Sequence, residues 1–329
     1  MAPAIPHLSA AFESVEIPLD PSDHLPVARL LECFRGFNNT ACKDERAEFD
    51  HFVSQTPMAV DVDFEEVDHE SLSGWWCRPK DLRPGAALLY LHGGGYIRGS
   101  ATAYRSFASQ IAARCRIATF VLEYPLAPEA TAPAPLLMVG EALRWLRSNG
   151  NVATALVGDS AGGGLALAAL STLDVLALQS IVACVAFSPW TDLTLSGASV
   201  DNPDISDPLL SRKALARYAA TYIGEVSPHD PRVSPLFGTA SMETPLLIQV
   251  GSNEILLDDA REFARHAAAR GAPVKLEIWK ELYHVFQLDL ADLSSGRLAL
   301  DRTAETLMAA FDRVQVLERK RSSSVGRVL

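Results

Sequence analysis

The chain has 329 residues, 48% of them apolar, which is enough for a large core and too many for a disordered chain. Its 40 acidic residues outnumber 29 basic ones, and a net charge of −11 repels nucleic acid and anionic lipid, so neither is an expected partner. Five cysteines (Cys33, Cys42, Cys77, Cys115, Cys184) are scattered without a C-x-x-C pair, which argues against a disulfide framework or zinc site and for a reducing compartment.

Met1 to Ala11 lack the basic-then-apolar order of a signal peptide. No uncharged apolar stretch reaches about 18 residues, the length a membrane-crossing helix needs. The expectation is a cytoplasmic protein with no stable membrane insertion. Residues 1–50 carry two predicted helices rich in Arg, Glu, Phe and Leu, ahead of any strand. From residue 60 strands and helices alternate. Strands Asp63–Asp68 and Ser73–Cys77 read as an antiparallel edge. Strand Ala86–Leu91, helix Tyr104–Arg114, strand Ile117–Leu122, helix Leu136–Ser148, strand Ala155–Gly158, helix Ala161–Leu173 and strand Ile181–Phe187 follow. Residues 188–244 interrupt the rhythm with one predicted helix, opened by Asp207-Pro208 and ended at Gly224. Strand Leu246–Val250, helix Asp259–Arg270, strand Val274–Trp279 and helix Arg302–Leu317 complete the chain.

Several of these strands are unbroken apolar runs, as sheet strands are when helices cover both faces. Their alternation with helices predicts an α/β fold with a mostly parallel central sheet and right-handed crossovers. A connection as long as 188–244 between core strands usually has a function. Residues 1–50 and 188–244 are read as the two parts of a helical cap over the active site. Residues 51–187 and 245–317 form the core, in one structural unit overall, and residues 318–329, with Lys320 and Arg321, form a flexible tail.

Two short segments carry the chemistry. Gly158-Asp159-Ser160-Ala161-Gly162 is a G-x-S-x-G between a predicted strand and a predicted helix, the signature of a nucleophile elbow that lifts a serine hydroxyl out of the backbone. His92-Gly93-Gly94-Gly95-Tyr96 follows an apolar strand and can present bare N–H groups to an oxyanion. A phosphate loop would want a lysine or G-x-G-x-x-G opening a helix, and Tyr96-Ile97-Arg98 supplies neither. Serine needs an imidazole to take its proton and a carboxylate to fix the imidazole tautomer. In α/β-hydrolases the order along the chain is Ser, acid, His. Downstream of Ser160, His266 reads as a surface residue of a helix and His229 lies in a turn. His284 follows the last predicted strand by a short loop, between Tyr283 and Phe286, at the edge where open α/β sheets hold their active sites. For the acid, Glu254 sits in the loop just after strand Leu246–Val250. Asp258 is the alternative, although Asp258 and Asp259 sit where carboxylates cap a helix and offset its dipole. Ala161 supplies one oxyanion N–H and the glycines after His92 the others.

At these residues the chain resembles the hormone-sensitive-lipase-like carboxylesterases of the α/β-hydrolase fold, the bacterial family IV esterases. The matches are Leu91 to Tyr96, Glu123-Tyr124-Pro125-Leu126-Ala127-Pro128-Glu129, Gly158 to Gly163, Ser188-Pro189-Trp190, Asp230 to Pro235 and His284-Val285-Phe286. They fall in family order over residues 60 to 315. The resemblance implies oxyanion donors at Gly94, Gly95 and Ala161. It implies Glu254 where the family usually has aspartate, and Asp258 as a second, structural carboxylate. Pro125 stands where arginine is common. Tyr96 and Trp190, both in these motifs, are candidate pocket walls.

The implied function is a serine carboxylesterase acting on small-molecule short- to medium-chain acyl esters or lactones through an acyl-serine. No metal and no cofactor is called for, since the triad suffices and no H-E-x-x-H or Cys/His cluster is visible. The family often dimerises, so a homodimer is an expectation, with no interface marked in the sequence. Two alternatives share the fold: an amidase or deacetylase using the same triad, and a non-catalytic receptor for a small ligand. Receptors of the second kind lose the base, whereas Ser160 and His284 are both present here.

Overall fold

Strands with no polar face have to be covered on both sides, and that requirement organises this molecule. The computed structural model of the chain describes residues 12–37, 44–69, 72–240 and 242–325. Among them nine strands form one sheet: β1 (Phe12–Ile17), β2 (Val62–His69), β3 (Leu72–Pro79), β4 (Ala86–Leu91), β5 (Ala118–Leu122), β6 (Ala153–Asp159), β7 (Ile181–Phe187), β8 (Leu246–Gly251) and β9 (Val274–Trp279). Their order is β1-β9-β8-β7-β6-β4-β5-β3-β2. Every neighbouring pair is parallel except β3 with β2 and with β5.

The helices are α1 (His24–Phe37), α2 (Glu45–Ser54), α3 (Ala101–Cys115), α4 (Ala134–Ser148), α5 (Ser160–Thr172), α6 (Val175–Leu178), α7 (Arg212–Ile223), α8 (Leu257–Ala269) and α9 (Ser294–Val325). Side chains alternate across each strand. Leu89, Leu91 and Leu156 pack with α4, α5 and α8 on one face. Leu88, Tyr90 and Val157 pack with α3 and α9 on the other. Two continuous cores therefore clamp the parallel strands, and the loops after β4, β6, β7, β8 and β9 open along one edge. No helix of the described residues is long and apolar enough to cross a membrane.

The sheet and its helices follow the sequence reading, with four corrections. The first lies in the segment assigned to the cap: Phe12–Ile17 is a strand, parallel to β9. Its sequence FESVEI leaves Phe12, Glu13, Ser14 and Glu16 exposed, so no apolar run announces it. Backbone pairing to β9 holds it, aided by Glu16 with Lys280 at 3.5 Å. The boundary drawn at residue 50 also falls inside α2.

The second correction concerns the helix of residues 188–244. It begins at Arg212, capped by the Ser211 hydroxyl, rather than at Pro208. The Asp207 carboxylate instead accepts N–H bonds from Leu209, Leu210 and Ile255. Gly224 does end the helix, with φ at 61°. Third, α9 starts at Ser294, because Asp23 accepts the N–H groups of Ser294 and Ser295 from the far end of the chain. It continues to Val325, so the expected tail is helical that far. Fourth, Asp258 and Asp259 lie in the first turn of α8 but cap other segments: Asp258 accepts the Ser199 N–H, and Asp259 those of Thr191 and Asp192. The readings made on Met1 to Ala11, Cys42 and residues 326–329 fall outside the described residues.

Candidate active site

Ser160 sits where β6 turns into α5, in a left-handed conformation with φ at 51°. That region costs a non-glycine residue about 1 kcal/mol or more and is typical of functional turns. The turn is tight because small residues let it be so. A Cβ on Gly162 would lie 2.0 Å from the carbonyl oxygen of Leu91, so the elbow rests directly on the end of β4.

Three loops meet at the hydroxyl. His284, in the loop after β9, places Nε2 2.9 Å from Ser160 Oγ. Its Nδ1 lies 2.7 Å from Oε2 of Glu254, in the loop after β8. A carboxylate only accepts, so Nδ1 carries the proton and Nε2 is left free to receive one. Burial opposes charge on the imidazole, but Glu254, Asp207 and Asp159 outweigh it and hold the pKa above the ordinary histidine value. Glu254 is fully buried. Its Oε1 accepts the Ser188 hydroxyl and the Gly251 N–H, each at 2.7 Å. Ser188, after β7 and itself left-handed at φ 44°, also accepts the Val285 N–H at 3.1 Å. One hydroxyl thus ties the carboxylate to the histidine loop. Asp258 pairs with Arg261 instead, and His229 and His266 lie elsewhere, beside Phe237 and Glu262.

The glycine loop after β4 is held from below. Burial pushes His92 down to about 4, so its ring is neutral, and Nδ1 donates to the Gly93 carbonyl at 2.8 Å. The ring stacks on Tyr124, whose hydroxyl donates to the His92 carbonyl. Asp159 accepts the Gly93 N–H, the Tyr90 hydroxyl and the Tyr104 hydroxyl, while burial pushes its carboxyl up to about 6. Among the described residues the N–H groups of Gly94 and Gly95 donate to no protein acceptor. Ala161 follows in the first turn of α5, where N–H groups have no intrahelical partner.

A cavity lies over Ser160 and His284. Gly94, Gly95 and Trp190 line it, while α2 contributes Phe49 and Phe52 and α7 contributes Leu215 and Tyr218. Trp190 is therefore on the wall. Tyr96 is not: its ring stacks on Tyr222 with centroids 3.8 Å apart, because α7 offers it a flat aromatic partner behind the loop. Among the described residues no three His, Cys, Asp or Glu side chains could hold a metal ion together. Sequence reasoning did not single out Ser188 or Asp159, although both stand in motifs it had noted. It also did not reach Phe49, Phe52, Leu215 and Tyr218, which no motif marks.

A serine on a strand-to-helix elbow, hydrogen-bonded to a histidine and carboxylate from later strands of a doubly covered sheet, is the arrangement of the α/β-hydrolase class. The family model of the alpha/beta hydrolase fold matches residues 88–288. An acetyl-hydrolase of Streptomyces hygroscopicus is 38% identical over 237 residues, 71% of this chain and 79% of that protein. An esterase of Acinetobacter venetianus is 32% identical over 221 residues, 66% and 73% of the two chains. The crystal structure of an esterase from the bacterial hormone-sensitive lipase family matches with a TM-score of 0.80 at 34% identity, over 88% of this chain and 98% of that one. The chain belongs to the α/β-hydrolase family, in its hormone-sensitive-lipase-like branch.

Proposed function

We propose that this carboxylic ester hydrolase cleaves short- to medium-chain acyl esters or lactones of small molecules through an acyl-serine intermediate. Ser160 Oγ attacks the ester carbonyl as His284 Nε2 takes its proton, and Glu254 steadies the imidazolium that results. The carbonyl oxygen, now negative, lies against the N–H groups of Gly94, Gly95 and Ala161. His284 returns the proton to the leaving oxygen, and water releases the acid by the same route. Helices α2 and α7 act as the cap that keeps bulk water from the reacting atoms.

The observation that carries this reading is the continuous relay, 2.9 Å from Ser160 to His284 and 2.7 Å from His284 to Glu254. The names of the acetyl-hydrolase and esterase relatives support an ester as substrate. Replacing Ser160 by alanine is expected to lower turnover of p-nitrophenyl butanoate by about 10⁴- to 10⁶-fold with the circular-dichroism spectrum unchanged. Substantial turnover in a folded Ser160→Ala variant refutes the assignment.

A further inference from the structure

The space over Ser160 is small. A water-sized molecule has about 50 Å³ there. Beyond one wall, between α1, α2 and the 3₁₀ turn Phe286–Asp289, a second cleft offers about 300 Å³ to the same molecule. Phe52 and Leu288 line both spaces. The cleft's further lining is apolar at Leu30, Cys33 and Phe34 and polar at Thr56, Asp289 and Asp292. By this measure one water needs roughly 10–15 Å³. The space at the nucleophile is therefore the tighter of the two.

Chemistry orients the two arms of the ester. The leaving oxygen has to come within hydrogen-bond reach of His284 Nε2, which protonates it. From His284 the wall continues through Val285 to Leu288, and all three line the cavity. The alcohol arm then faces Leu288 and Phe52, and the acyl arm faces Trp190 and Leu215.

We propose that the cleft between α1, α2 and the 286–289 turn is the alcohol subsite, entered past Phe52 and Leu288, and that the preferred substrates are short-acid esters of medium-length apolar alcohols. The proposal rests on the ester-hydrolase reading of Ser160 and His284. Several contacts brace the partition. Thr56 donates to the Leu288 carbonyl at 3.0 Å, and Phe34 meets the rings of Phe52 and Tyr283 edge-on at 5.8 and 5.2 Å.

Cys33 provides the test, because it is exposed on the cleft wall. Cys77, Cys115 and Cys184 are buried, and burial pushes all three thiols up, Cys77 and Cys115 to about 12. In the full chain carrying Cys42→Ser, Cys33 is labelled with N-phenylmaleimide. Initial rates are then followed by pH-stat for ethyl and hexyl acetate, which vary the alcohol, and for ethyl acetate and ethyl hexanoate, which vary the acid. Labelling is expected to lower the hexyl-to-ethyl acetate ratio of kcat/KM by about tenfold and to leave the hexanoate-to-acetate ratio in place, since a few methylenes in an apolar pocket are worth that much. Phe52→Ala, unlabelled, is expected to raise the hexyl-to-ethyl ratio by about threefold. A label that moves the acid ratio instead, or moves neither, overturns the subsite. Absence of turnover with every ester overturns the ester-hydrolase reading and the subsite with it.

Discussion

The hydroxyl of Ser188 donates to Oε1 of Glu254 at 2.7 Å, so that Oε2 alone faces the imidazole of His284. Glutamate has one more rotatable bond than the aspartate usual in this branch, and a loose carboxylate would present either oxygen. Ser188 and the Gly251 N–H together remove that freedom. A hydrogen bond to a charged group is worth about 1.5–3 kcal/mol. Ser188→Ala is therefore expected to lower kcat by about 10- to 100-fold, with KM little changed, and Ser188→Thr, which keeps the hydroxyl, to restore most of it. Steady-state kinetics on p-nitrophenyl butanoate decide the matter. An unchanged kcat in folded Ser188→Ala leaves the serine with a structural role only.

Glu254 and Asp258 are separable by substitution. Glu254→Gln removes the partner of His284 Nδ1 and is expected to cost about 10⁴ in kcat, the loss known for the wrong histidine tautomer. Asp258→Asn weakens the bond to the Ser199 N–H, and should lower stability by about 1 kcal/mol while turnover persists. Urea unfolding read beside activity distinguishes the two, and the opposite pattern would make Asp258 the acid.

The pH profile has a definite sign. His284 acts as a base only when neutral, and its neighbours hold its pKa above the ordinary value, about 6.5. The acid limb of kcat/KM is thus expected to fall at a pH above that value. Residual activity of Glu254→Gln should show the limb displaced downward, because the strongest attraction for the imidazolium is gone. A limb below 6 in the wild-type protein contradicts the assignment.

Gly94 has φ at 118°, and a Cβ there would lie 2.1 Å from the carbonyl oxygen of Arg98. Alanine cannot be accommodated without moving the loop that carries the open N–H groups. Gly94→Ala is expected to reduce kcat by at least about 100-fold, the scale of one lost oxyanion donor. The same rates with matched thioesters and esters, set against the melting temperature, separate a displaced loop from a general loss of folding.

What the sequence made legible follows from how local each signal is. Leu88 to Leu91 and Val182 to Phe187 are apolar on both faces, and such runs have few structures open to them besides buried parallel strands. Ser160 and the glycines after His92 announce themselves through backbone requirements that only small residues meet. Glu254 and His284 were legible as residues in loops after strands, and the fold brings them into one relay. Other features depend on distant partners. Nothing near Ser188 indicates Glu254, 66 residues away, and nothing near Ser294 indicates Asp23. Phe12–Ile17 covers only Val15 and Ile17 in part, so its pairing with β9 leaves no local trace. Tyr96 belongs to a motif at the active edge, yet its ring goes to Tyr222, a choice made by packing that residue type alone does not reveal.

The pairing of β1 with β9 has a consequence for biosynthesis. β1 finds its neighbour only after Trp279 has emerged, more than 250 residues later. Until then β1 has no strand beside it, and the turn that bears the imidazole has not yet been made. The Ser160 elbow can thus form during synthesis well before the chain reaches His284, its hydrogen-bond partner.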